Sequence, residues 1–193
     1  MANMARTGVS LIGQTGTGNF VGSTSPTLVT PVLGVSSATS INFSSTSGII
    51  GTTTNNTPAA GSVGEIISSQ VAFGSAQALT SNSILALTTI SLTAGDWDIY
   101  ASVGFTGGAT TLVRHMHAWT AITTGSAPNS ALITSVSLGT TGVAIFAQGF
   151  YGMAIKLNTL LINATTTTYL NVRSTFTTST CSCFGKIWAR RTR

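Results

Sequence analysis

Three carboxylates serve the whole chain of 193 residues: Glu65, Asp96 and Asp98. Against them stand 35 Thr and 24 Ser, small hydroxyl side chains that 21 Gly accompany. Charged residues make up 6% of the chain, where an ordinary soluble domain carries about a quarter. Thr, Ser, Gly and β-branched residues are poor in helices and at home in strands and turns, so a long helical protein is excluded. Paired-carboxylate catalysis, oxygen-ligand metal cages and ion-pair networks all require acids that the sequence lacks. We therefore read the chain as non-enzymatic and without a cofactor. Its 42% hydrophobic content is too high for a wholly disordered chain. The length suits one domain, or one domain with an appendage.

A mean hydropathy of +0.40 raises the question of a membrane. No run of about 18 apolar residues exists, so no membrane insertion is expected. Residues 1–10 have one charge and no apolar stretch of the kind a secretory signal needs. The expectation is synthesis in a host cytoplasm, with release by lysis or assembly. The net charge of +5 and pI near 9.9 arise from the shortage of acids. Bases are scattered except at Arg190, Arg191 and Arg193, which read as a polar strand end. Nucleic-acid binding usually shows a basic stripe interleaved with aromatics, and this chain has none, so such a partner is not expected.

Residues 1–60 differ in texture from the rest. Gly8, Gly13, Gly16, Gly18 and Gly22 come in quick succession, followed by short pieces marked by Pro26, Pro31 and Pro58. Apolar residues here form only brief runs and cannot close a core. This segment is expected to be an extended arm ordered against a larger assembly. Its docking candidates are Phe20, Leu28, Val29, Val32, Leu33, Ile41 and Phe43. The run around Gly13–Gly18 superficially resembles a phosphate-binding loop but lacks the Lys-Ser/Thr ending.

From residue 61 to 193 the pattern becomes regular. Apolar and polar residues alternate over 66–73, 84–92, 97–105, 112–122, 130–138, 143–148 with 153–162, 169–177 and 181–191. About eight strands in such a length predict an antiparallel two-sheet sandwich, most simply a jelly roll. In the last run Cys181, Cys183, Gly185, Ile187 and Ala189 share a small apolar face. Phe184, Lys186, Trp188 and Arg190 share the other. Aromatic residues on an outer face mark an interface, so these four, with Trp119, are the candidates for contact between copies of the chain.

Three segments carry a resemblance: Gly64-Glu65-Ile66-Ile67-Ser68, Ser91-Leu92-Thr93-Ala94-Gly95-Asp96-Trp97-Asp98-Ile99, and Tyr169-Leu170-Asn171-Val172 with Gly185-Lys186-Ile187-Trp188-Ala189-Arg190-Arg191. With Ser40–Phe43 and Asn55–Pro58 upstream, they resemble the tip domain of tailed-bacteriophage fibre proteins over about residues 40–193. The resemblance implies a jelly roll of the tumour-necrosis-factor/complement type, a homotrimer, and an N-terminal arm docked on other proteins of the virion exterior. It brings no catalytic residues and no fixed receptor contacts. The arm is too short for a long shaft, which favours a short tail or head fibre or spike. Adhesion to a host surface glycan, through the Ser/Thr/Gly-rich loops 107–111, 123–130 and 139–142, is the expected role. A capsid or tail decoration protein with no receptor role is the alternative.

Two short clusters invite chemistry. His115, His117 and Trp119 fall on one face of a strand, and two imidazoles can bind zinc or nickel. A structural site normally needs four ligands, so the simpler reading is strand histidines bonded to Thr or backbone. Cys181 and Cys183 lie too far apart along one strand face for a disulfide and read as buried thiols.

Overall fold

The computed structural model describes residues 53–125, 135–139 and 149–193, the second stretch by its backbone alone. The compact unit described here is Thr53–Arg193. The docking candidates Phe20, Leu28, Val29, Val32, Leu33, Ile41 and Phe43 lie outside the described residues, as does the run expected over 143–148.

Among the described residues the alternating pattern becomes nine strands. They are β1 (Ile66–Val71), β2 (Gln77–Ala78), β3 (Ile84–Leu92), β4 (Gly95–Gly107), β5 (Leu112–Ala121), β6 (Ser135–Gly139), β7 (Gly149–Ile162), β8 (Thr166–Thr177) and β9 (Cys181–Arg191). A single 3-10 turn, Phe73–Ser75, separates the first two. All pairings are antiparallel. One sheet has the order β1-β9-β4-β7, with β2 also on β9, and the other β3-β8-β5-β6. The pairing is nested: β1 with β9, β3 with β8, β4 with β7, β5 with β6. The described residues thus form an all-β antiparallel sandwich.

One hydrophobic cluster lies between the sheets. The period of two in β4 sends Trp97, Ile99, Ala101, Val103 and Phe105 inward, each no more than 3% exposed. From β9 come Cys181, Cys183, Ile187 and Ala189, and from the facing sheet Leu87, Leu92, Val113, Met116, Leu170 and Val172. At the β1 and β3 edges the Ser69 and Thr88 hydroxyls bond at 2.6 Å, joining the two layers. Hydroxyls also tie the loops. Thr111 Oγ1 donates to Thr180 O at 2.6 Å and Gly108 N donates to the same carbonyl at 2.9 Å, linking the β4–β5 and β8–β9 turns.

Strand ends differ from the alternation because pairing partners extend them. Residues Thr166–Thr168 join β8 by pairing with Leu92, Ser91 and Ile90. The first run stops at Val71, and two residues of β2 resume the ladder on β9. Such a pair is too short to leave a periodic signal.

Gly185 sits in β9 between β1 and β4, opposite Val71 and Val103. A Cβ placed there would lie 2.4 Å from Ser102 O and 3.1 Å from Val103 Cα, both backbone. Neither neighbour can rotate away. Gly185→Ala is expected to lower stability by about 1–3 kcal/mol, the usual range for forcing atoms into a packed site. Denaturant unfolding of the two proteins measures it.

Candidate functional site

The outer face of the β1-β9-β4-β7 sheet carries a group of aromatic rings in contact. Along β9 the outward positions are Ser182, Phe184, Lys186, Trp188 and Arg190, the face that the alternation assigns. Opposite them on β4 stand Thr106, Gly104, Ser102, Tyr100 and Asp98. Trp188 and Tyr100 stack with centroids 5.4 Å apart and planes 11° apart. The Lys186 ammonium lies 5.9 Å from the Trp188 ring.

The other half of this face is built on glycine. Gly104 and Gly152 are cross-strand partners, and the Phe184 ring lies where a side chain on Gly104 would be. That ring meets Phe73 edge-on at 5.1 Å and Phe150 at 5.4 Å. Phe73 and Phe150 are 64% and 62% exposed. A groove of about 520 Å³ on this face is lined by Gly104, Gly152, Ala154, Phe150, Phe184 and Lys186. Single exposed apolar residues are ordinary on a protein surface, but a contiguous group of rings marks a surface that meets another.

Phe184, Lys186, Trp188 and Arg190 therefore share one face, and Trp119 lies elsewhere. Trp119 is in β5, in the other sheet, and is fully buried within the single chain. The sequence also gives no direct sign of Phe73 and Phe150, which the turn and β7 bring beside Phe184. Their aromatic character alone was the available signal.

At the end of the same sheet sits a charged clamp. Arg191 is 5% exposed, and its Nε donates to Glu65 Oε2 at 3.0 Å. Its Nη1 donates to Ala94 O at 2.9 Å, its Nη2 donates to Thr93 Oγ1, and its guanidinium lies 4.3 Å from the Trp97 ring centroid. Gly95, at φ +140°, has no room for a side chain beside that guanidinium. The Trp97 indole in turn donates to Thr93 O at 2.9 Å. The three basic residues at the C-terminus were expected to form one polar strand end, but only Arg190 is an exposed member of β9. Arg191 continues the inward parity of Ile187 and Ala189, and Arg193 pairs with Asp96 at 2.5 Å.

His115 and His117 come together in β5 with ring centroids 4.4 Å apart. Their neighbour is Arg173 in β8, whose Nη2 lies 3.2 Å from His117 Nδ1. Burial first, then His115 and the Arg173 charge, hold the His117 pKa below the usual imidazole value. A cation beside the pair opposes a divalent metal there. Among the described residues no group of three or more His, Cys, Asp or Glu could hold one. Cys181 and Cys183 are free and buried. Burial, with the Cys181 thiol adding to it, pushes the Cys183 thiol up to about 12, where thiolate chemistry at neutral pH is negligible.

Among the described residues no helix is long and apolar enough to cross a membrane. No protein-family model matches this chain, and no curated protein matches it.

The clamp gives a pH dependence with a definite sign. Gly61 N donates to Glu65 Oε2 at 2.8 Å. That backbone bond, then the Arg191 hydrogen bond and charge, outweigh burial and hold the Glu65 carboxyl below 4.5. A carboxyl lowered by folding stabilises the fold above its unfolded pKa, and the contribution fades as pH falls through the folded value. The melting temperature is expected to drop as pH is taken from about 5 towards 3, with Glu65→Gln showing a shallower drop and a lower value at neutral pH. Thermal unfolding across that range checks both.

Proposed function

We propose that this chain is a bacteriophage virion structural protein: a short trimeric fibre or spike, docked by its N-terminal arm and presenting the sandwich as a host-adhesion knob. The observation that carries the reading is the nested strand pairing. Pairing of β1 with β9, β3 with β8, β4 with β7 and β5 with β6, distributed over a five-stranded and a four-stranded sheet, supports the connectivity of a jelly roll. The resemblance of Gly64–Ser68, Ser91–Ile99 and Gly185–Arg191 to phage fibre tips joins this support. Those three segments converge on one place, the Arg191 clamp, through Glu65, Thr93, Ala94 and Trp97.

The β1-β9-β4-β7 outer face supports self-association. Its Phe73, Phe150, Phe184, Tyr100 and Trp188 make an apolar patch flanked by Lys186 and Arg190, and interface cores favour aromatics in this way. Where three copies meet through this face, three neighbouring weak contacts to a surface glycan raise apparent affinity by about 10²–10⁴. Binding of this kind needs no catalytic group.

Two experiments test the reading. Light scattering is expected to report a trimer, and Trp188→Glu or Phe184→Glu to yield a folded 19.6 kDa monomer with an unchanged β-sheet circular dichroism spectrum. A wild-type monomer at micromolar concentration contradicts the trimer. Gold-labelled antibody on intact particles is expected at the distal end of a tail or fibre. Label spread over a capsid transfers the role to decoration, and absence from particles removes the virion reading altogether.

A further inference from the structure

Three basic side chains cluster on the second sheet, β3-β8-β5-β6, with no acid to meet them. His115 and His117 stand on β5 with ring centroids 4.4 Å apart, and the register sets His117 opposite Arg173 on β8. All three are partly buried. Exposed Arg114, in the bulge before His115, adds positive charge on the same strand. The other cross-strand neighbours are Thr175 on β8, Ile84 on β3, and Ser137 and Gly139 on β6, none of which ionises near neutrality. The three carboxylates of the sequence are engaged elsewhere: Glu65 with Arg191, Asp96 with Arg193, and Asp98 with the Thr159 hydroxyl.

The contact between His117 and Arg173 admits one protonation state of the ring. Arg173 Nη2 lies 3.2 Å from His117 Nδ1, and a guanidinium donates hydrogen bonds but accepts none. Nδ1 is therefore the acceptor, and the neutral ring carries its hydrogen on Nε2. A proton arriving at this ring has only Nδ1 to occupy. It abolishes the bond and turns the acceptor into a cation beside a cation. Like charges directly opposite each other on paired strands are destabilising, and partial burial limits their screening by salt. His115 compounds the effect, because a charge on one ring opposes a charge on the other. Burial, His115 and Arg173, in that order, hold the His117 pKa below 6.5, in agreement with this geometry.

We propose that His117 and Arg173 form an acid-released latch between β5 and β8. At neutral pH the uncharged ring accepts from the guanidinium and ties the two strands. In acid the ring charges, the tie is lost, and β5 parts from β8 more readily, carrying β6, which pairs with β5 at the edge of the sheet. A histidine whose pKa is lowered by folding stabilises the fold fully above its unfolded value, and the contribution is lost as pH falls through the folded value. The latch therefore begins to weaken near pH 6.5, above the range in which the Glu65 clamp fails. It lies in a different sheet from the aromatic face, so it holds whether or not the chain is a trimer or a phage protein.

The test follows the full-length protein from about pH 7.5 to about 5.5 at constant ionic strength, a range in which Glu65 stays ionised. The wild-type melting temperature is expected to fall by about 2–4 °C, the order of shift that one weakened contact produces in a chain of this length. In folded His117→Gln the fall is expected to shrink by at least half, since glutamine does not ionise. Ring-proton NMR reads the two histidines directly. The His117 midpoint is expected to rise in Arg173→Gln, a change that a purely packing role for Arg173 would not produce. Amide exchange is expected to lose protection first along β5 and β8, with β4 and β9 unaffected. A wild-type melting temperature that stays constant over this range overturns the proposal without any variant. So does an undiminished fall in folded His117→Gln, or a loss of amide protection spread evenly over both sheets.

Discussion

A buried ion pair between residues 126 positions apart closes the sheet that the rest of the structure is built on. Arg191 ends β9, Glu65 precedes β1, and their contact at 3.0 Å brings the two ends of the sandwich unit side by side. Removing two charges from water is expensive unless their hydrogen-bonding capacity is also met. Here it is met. Glu65 accepts from the Gly61 backbone as well, while Arg191 donates to Ala94 and Thr93 and covers the Trp97 ring. Leaving either partner alone would strand a charge in the interior, so the pair fixes which strand ends must meet. That specification has particular value in a chain whose hydroxyl-rich strands otherwise differ little from one another.

The shortage of acids has consequences on both faces of the sandwich. All three carboxylates are used near the β4 start and its neighbours, two of them on terminal arginines. Nothing negative remains for the opposite sheet, where Arg173 stands with two histidines. On the aromatic face the consequence is different: with few charges available, the surface around Lys186 is finished with rings on both sides and with glycines beside Phe184. A sheet face of this kind is a liability on an isolated chain, since soluble proteins seldom leave contiguous rings in water.

Much of the architecture was legible because a strand repeats every two residues. The run of β4 from Trp97 to Phe105 states its inner face directly, and that of β9 separates its thiols from its aromatics. Parity also held the answer for Arg191, which shares odd numbering with Ile187 and Ala189. The local cluster of arginines, however, gave a stronger impression of a solvated end. Trp97 shares the parity of the inner face of β4, but Glu65 was not legible as a clamp, because its partner lies at the other end of the sequence. The same holds for His115 and His117. Their spacing allowed a metal pair but favoured strand histidines bonded to Thr or backbone, whereas the neighbour that decides their chemistry is Arg173, which only the β5–β8 register supplies.

Glycine shows how the two faces of one sheet constrain each other. Gly185 faces inward in β9, and a side chain there would strike the β4 backbone at Ser102 O and Val103 Cα. Gly104 faces outward in β4, and the Phe184 ring, from the residue beside Gly185, lies where its side chain would be. Neighbouring residues of β9 thus approach β4 from opposite sides, one by having no side chain and the other by lying flat on a strand that has none. Close approach of these central strands seats the Phe184 ring against the sheet, and Phe73 and Phe150 then complete the patch. The outer aromatic surface is therefore an extension of how the core is packed, not an independent decoration of a finished fold. A substitution that pushes β9 away from β4 should disturb both at once.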